Sequence, residues 1–130
     1  MDASRFEVRQ AVGPAGEPSE LQPEGRNRLI HGDCLDILRA LPGDSFDTIY
    51  IDPPFFSGKT YRLHNGEAER PASFSDTWGG GLTAYLDWLG ERLQEMRRLL
   101  RPTGALFVHL DWHAMHYVKV LLDRLFGYHC

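Results

Sequence analysis

The chain has 130 residues, 42% of them apolar and 12% aromatic, with a formal charge of −4. That length allows one modest core but is short for a complete doubly wound sheet with its own recognition domain, and the acidic balance argues against extensive phosphate contact by this segment alone. Two cysteines, Cys34 and Cys130, make no disulfide framework, and no apolar run has the length of a signal segment or membrane helix, so the expectation is an intracellular, cytoplasmic protein with no membrane association.

Residues 1–26 are rich in Gly, Pro, Glu and Ser without a sustained apolar period, and are expected to form a flexible N-terminal arm ahead of a domain over 27–130. Leu29 to His31 predicts a short strand, Gly32-Asp33 a turn, and Cys34 to Leu41 a helix with Leu35, Leu38 and Leu41 on one face. Asp33 suits the N-cap of that helix. Cys34 reads as a small apolar residue on it. Pro42-Gly43-Asp44 ends the helix and leads into Phe46-Asp47-Thr48-Ile49-Tyr50-Ile51, a β-branched and aromatic run that predicts a buried strand.

The strand ends on Asp52-Pro53-Pro54-Phe55. Each proline fixes φ, removes an N–H donor and pushes the residue before it into extended geometry, so a carboxylate and two backbone carbonyls are held in a stiff segment with few internal partners. Such an acceptor cluster suits the activation of an exocyclic base amine. That nitrogen is a poor nucleophile because its lone pair is delocalised into the ring. Accepting its two N–H protons, one on a carboxylate and one on a carbonyl, favours the pyramidal form that attacks an electrophilic methyl group. Phe55 is placed to stack on a base that has been flipped out of its duplex. Read by itself, the tetrapeptide is also consistent with a capped turn at a strand end.

The segment Phe56 to Gly81 is long and polar, with Lys59, Tyr61, Arg62, His64, Arg70, Phe74 and Trp78. A loop of this length beside such a motif suits a cover for the extruded nucleotide, with Lys59 and Arg62 on phosphate, while Phe74 and Trp78 are expected to pack on the helix that follows. Gly79-Gly80-Gly81 reads as a flexible hinge. From Thr83, a suitable N-cap, Leu86, Leu89, Leu93, Met96 and Leu100 recur at helical spacing. Pro102-Thr103-Gly104 is expected to end this helix, Ala105 to Leu110 to form a strand, and His113 to Phe126 a last helix with Val118, Leu121, Leu122 and Leu125 inward and Gly127 as its stop. His109, His113 and His116 are assigned no metal, because they are split between strand and helix and no cysteine pair completes a site. Asp111 is better explained as a helix cap, and Arg97, Arg98 and Arg101 as a cationic helix terminus.

The order β-α-β-loop-α-β-α implies an α/β fold with a parallel sheet, whose strand ends carry Asp33, Asp52 and Asp111 on one edge.

Asp52 to Phe55 resembles the catalytic motif of S-adenosylmethionine-dependent amino-methyltransferases acting on DNA. Asn27 to Leu38 is similar to the segment preceding that motif in the permuted beta group, and Ser57-Gly58-Lys59 to the stretch that follows it. Leu99 to Asp111 and Lys119 to Gly127 resemble the helix-strand-helix portion of type III modification subunits. The resemblance implies a partial Rossmann-like methyltransferase sheet lacking the C-terminal cofactor-loop strands, because the Phe-x-Gly-x-Gly loop of this group lies beyond a target-recognition region and the chain stops at Cys130 before either. It also implies that the strands at Leu29 and Phe46 are not neighbours.

The function implied is methyl transfer from S-adenosylmethionine to adenine N6, favoured over cytosine N4 by the Asp at the first motif position. Asp52, Pro53, Pro54 and Phe55 would be catalytic, Asp33 would lie near the cofactor, and Lys59 and Arg62 would touch substrate. Double-stranded DNA, a missing C-terminal half or partner subunit, and a restriction subunit are the implied partners. An RNA base or a protein glutamine amide offers a planar amine to the same acceptors, and a noncatalytic scaffold that pairs with an active subunit is the alternative of a different class.

Overall fold

A computed structural model of the chain describes residues 6–12, 27–63 and 72–130. The expectations for the rest of the arm and for His64 and Arg70 lie outside the described residues. The chain divides into two units, Met1–Pro42 and Gly43–Cys130.

In the first unit, strand β1 (Phe6–Val12) pairs antiparallel with β2 (Asn27–Gly32), and helix α1 (Cys34–Ala40) follows. The strand at Phe6–Val12 lies within the 1–26 span expected as an arm. It alternates in type only weakly, and the ladder with β2 pairs the backbone groups on its facing edge. Helix α1 begins as its sequence requires, since the Asp33 carboxylate accepts from the Leu35 N–H at 2.8 Å. Leu35 is buried on its inner face and Leu38 and Leu41 are half-buried, and Cys34 lies on the helix, as expected, in an exposed position.

The second unit contains β3 (Phe46–Ile51), β4 (Thr60–Leu63), β5 (Ala72–Ser75), α2 (Gly81–Leu99), β6 (Leu100–Val108) and α3 (Met115–Phe126). Strands β3 and β6 are parallel, as the alternation implies, and β4 and β5 form an antiparallel pair. Among the described residues the architecture is thus mixed α/β built from two-stranded sheets, β1 with β2, β3 with β6 and β4 with β5. The core lies along α2, where Tyr85, Leu89, Leu93, Met96 and Leu99 are buried together with Leu100, Ala114 and Val118. This matches the periodic stripe except at Leu86, which is half-buried.

Four boundaries differ from expectation. Helix α2 starts at Gly81 with Gly80 as N-cap, so Thr83 falls in its first turn, and the glycines form a turn in place of a hinge. A Cβ on Gly80 would stand 2.6 Å from that of Ala84, and Gly81 has φ +66°, so the close approach and the left-handed backbone account for the glycines. At its other end α2 passes directly into β6, because the N–H groups of Asp44 and Ser45 accept the role of further turns by donating to Arg98 O at 3.1 Å and Leu99 O at 2.8 Å. Pro102-Thr103-Gly104 therefore lies inside β6, in a bulge where Asp47 of β3 faces Arg101 to Gly104. Arg101 closes the bulge with both Asp47 carboxylate oxygens at 2.6 and 2.7 Å. Finally, α3 begins at Met115, and Asp111 caps the turn before it by accepting from the His113 N–H at 2.9 Å.

Candidate active site

Strand β3 delivers Asp52 to the carboxyl end of the parallel pair, and the His109 N–H donates to Ile51 O at 2.9 Å to hold the strand end against β6. Beyond it, Asp52 is exposed while Pro53, Pro54 and Phe55 are half-buried. The Phe55 ring meets His109 edge-on, with centroids 5.5 Å apart, a favoured aromatic geometry.

These four residues line one cleft of about 310 Å³ together with Tyr61, Phe74 and Asp76. Tyr61 and Phe74 are cross-strand partners on β4 and β5 and stack at 5.0 Å with planes 15° apart. The expected long loop is therefore a hairpin that brings a pair of aromatic rings to the motif. Trp78 packs on Tyr85 and Trp88 of α2 as anticipated, at 5.1 and 5.2 Å. Phe74, expected on that helix as well, stands in register opposite Tyr61 and lines the cleft.

Asp76 was not singled out in the sequence, yet it organises the site. The residue is 1% exposed, and its carboxylate accepts from Phe56 N (3.1 Å), Ser57 N (2.7 Å), Ser57 Oγ (2.6 Å) and Trp78 Nε1 (3.1 Å). Burial pushes the carboxyl up, but the bonds from Ser57, Trp78 and Phe56 outweigh it and hold Asp76 below the usual carboxylate range. Tyr85, fully buried on α2, donates its hydroxyl to Pro54 O at 2.8 Å. Burial, with the charges of Asp76 and Asp111 adding to it, pushes the Tyr85 phenol far above its ordinary range, so it remains a donor.

The acceptors at the motif are thereby sorted. The Pro54 carbonyl is occupied by Tyr85, whereas the Asp52 carboxylate and the Pro53 carbonyl have no hydrogen-bond partner among the described residues. An unengaged carboxylate and carbonyl beside an aromatic-walled cleft can accept both protons of a planar amine.

Of the remaining expected site residues, Lys59 and Arg62 are not among those lining the cleft. Lys59 is exposed ahead of β4, where its carbonyl accepts from Asp76 N at 2.8 Å. Arg62 is exposed on β4, paired with Ser73 and alternating with Tyr61. Asp33 belongs to the first unit. His113 Nδ1 lies 2.8 Å from Asp111 Oδ2, and burial raises the Asp111 carboxyl less than the His113 backbone, side chain and charge lower it. No group of three or more metal-ligating side chains occurs among the described residues.

The strand that ends on the Asp52 carboxylate and double-proline turn opens the region matched by a family model, and the chain belongs to the DNA methylase family, whose N6/N4 model matches residues 46–130. Among its relatives, the type II methyltransferase M.BamHI of Bacillus amyloliquefaciens is 37% identical over 82 residues, covering 63% of this chain and 17% of that protein. The DNA adenine methyltransferase YhdJ of Escherichia coli (strain K12) is 28% identical over 110 residues, with 85% and 33% covered. The Mod subunit of the type III restriction-modification enzyme EcoP15I of Escherichia coli is 28% identical over 130 aligned residues, with 82% and 20% covered. The chain thus spans a third or less of the length of these relatives.

Proposed function

We propose that this chain supplies the catalytic-motif portion of a site-specific DNA methyltransferase that uses S-adenosylmethionine to methylate an exocyclic base amine, adenine N6 in preference to cytosine N4. The observation that carries the reading is the sorting of acceptors at the motif: among the described residues Asp52 and the Pro53 carbonyl have no hydrogen-bond partner beside the cleft, while Pro54 is fixed by Tyr85.

In this reading Asp52 and Pro53 O each accept one proton of the target amine and favour its pyramidal form, Pro54 stiffens the turn, and Phe55 stacks on the extruded base. The cofactor supplies, when bound, an electrophilic methyl group on sulfonium sulfur. Of the groups present, the exposed Asp33 carboxylate suits its ammonium or ribose hydroxyls. Lys59 and Arg62, exposed at the foot and on the outer side of the aromatic hairpin, suit contacts to phosphates flanking the base. Duplex DNA is the proposed substrate, the cofactor-loop half is supplied by the same or a partner polypeptide, and a restriction subunit is the proposed companion, as the names of the Mod relatives suggest.

The test is Asp52→Ala in the active methyltransferase that carries these residues, assayed with duplex DNA, RNA and protein substrates and labelled methyl donor. Transfer to duplex DNA is expected in the parent and its loss in the variant, with thermal unfolding unchanged. Mass spectrometry of the product nucleosides should find N6-methyladenine. Retained turnover in Asp52→Ala would sink the assignment.

A further inference from the structure

We propose that Asp76 is a positioning residue for methyl transfer: its buried carboxylate ties the turn after the Asp52–Phe55 motif to the aromatic hairpin and to the start of helix α2, and so fixes the acceptors that hold the target amine. The inference rests on the function proposed above and adds to it a residue far from the motif in sequence.

The geometry makes this more than a hairpin closure. Backbone bonds already close the hairpin at this point, from Gly58 N to Asp76 O at 3.1 Å and from Asp76 N to Lys59 O at 2.8 Å. Nothing in the ladder requires a carboxylate as well. Burying one has a desolvation cost, which is offset only when its oxygens are well satisfied. Here all four donors come from Phe56, Ser57 and Trp78, and two of those residues directly follow Phe55. Phe56 has φ +60°, a conformation a non-glycine side chain holds only when its surroundings over-determine it. The two carboxylate oxygens take the N–H groups of Phe56 and Ser57 separately, which is such a constraint.

The same carboxylate sets the direction of a short relay. Ser57 Oγ donates to Asp76 Oδ2 at 2.6 Å and therefore accepts from the Tyr61 hydroxyl, 3.0 Å away. Tyr61 is stacked on Phe74 at the cleft wall. Through one anion, the wall and the motif turn are held in a common frame. An amide at position 76 keeps the shape but replaces one acceptor by a donor, which in one flip would face Phe56 N and Trp78 Nε1 and in the other Ser57 N and Oγ.

The experiment compares Asp76→Asn, Ser57→Ala, Ser57→Thr and Asp52→Ala in the active methyltransferase that carries these residues, measuring kcat, KM for S-adenosylmethionine, thermal unfolding, and amide exchange at Phe56 and Ser57. Asp76→Asn is expected to lower kcat about ten- to a hundredfold, the scale of a small misplacement of reacting groups, with the cofactor KM little changed and exchange at Phe56 and Ser57 accelerated. Ser57→Ala should fall in the same direction by less, and Ser57→Thr should restore it. If Asp76→Asn fails to fold, the Ser57 pair carries the same distinction. A parental kcat in Asp76→Asn or in Ser57→Ala, or a loss that follows only the unfolded fraction at the assay temperature, overturns the positioning role. If Asp52→Ala is dead while Asp76→Asn keeps full kcat, this inference falls alone; if Asp52→Ala retains turnover, the function proposed for the site falls with it.

Discussion

The contact between Tyr85 and Pro54 gives a graded test of how the core of the second unit supports its surface turn. Tyr85 makes two separable contributions. Its ring is fully buried and lies 5.6 Å from Phe56, 5.1 Å from Trp78 and 6.5 Å from Trp88. Its hydroxyl makes one bond, of 2.8 Å, to Pro54 O. Tyr85→Phe leaves the ring contacts and removes that bond, so its effect is that of one neutral hydrogen bond to a half-buried carbonyl, about 1 kcal/mol. For a unit of this size the melting temperature should fall by about 4–8 °C. Tyr85→Ala removes the ring too and leaves a cavity beside the indoles, raising the loss to about 3–5 kcal/mol. Urea unfolding followed by tryptophan emission is the suitable assay, since Trp78 and Trp88 touch the substituted ring. Equal losses in the two variants would refute the separation of ring from hydroxyl. No loss in Tyr85→Phe would refute the view that this bond holds the motif turn.

Two further outcomes follow from the same geometry. The Asp76 carboxyl is held below the usual carboxylate range when folded, so the folded state binds its proton less readily; the stabilisation is present above the unfolded carboxylate value of about 4 and is lost as pH falls through the lower folded value. Urea midpoints measured from neutral to acid pH should therefore fall more steeply in the parent than in Asp76→Asn, and parallel profiles would count against it. Gly104→Ala would place a Cβ 2.9 Å from Leu100 Cδ2, 3.0 Å from Arg101 O and 3.1 Å from Phe46 O. Because two of these atoms belong to the backbone of the bulge, relief is limited and a loss of about 1–3 kcal/mol is expected in urea unfolding; an unchanged midpoint would show that the bulge yields.

Local physics made much of this protein legible from its residues alone. A β-branched run stopped by two prolines gives strand β3 and its terminal carboxylate, and the Leu89, Leu93, Met96 repeat gives the buried face of α2. Asp33 caps the next helix, and Gly127 follows the last residue of α3. In each case the cause lies within a few residues of its effect. The remainder was decided by partners far away in sequence. Strand β1 is defined by its ladder to β2, and the aromatic hairpin by the register of Tyr61 with Phe74. The bulge of β6 depends on Asp47 facing Arg101. Asp76 carries no local mark of its role: it stands among Ser, Thr and Trp in a polar stretch, and its meaning comes from the N–H groups of Phe56 and Ser57, brought to it only when the hairpin closes. The motif and the periodic elements are written in neighbouring residues, because φ restriction and side-chain spacing act locally; which acceptors at the motif are occupied and which are open among the described residues depends on the folded chain, because a hydrogen bond needs both partners in place.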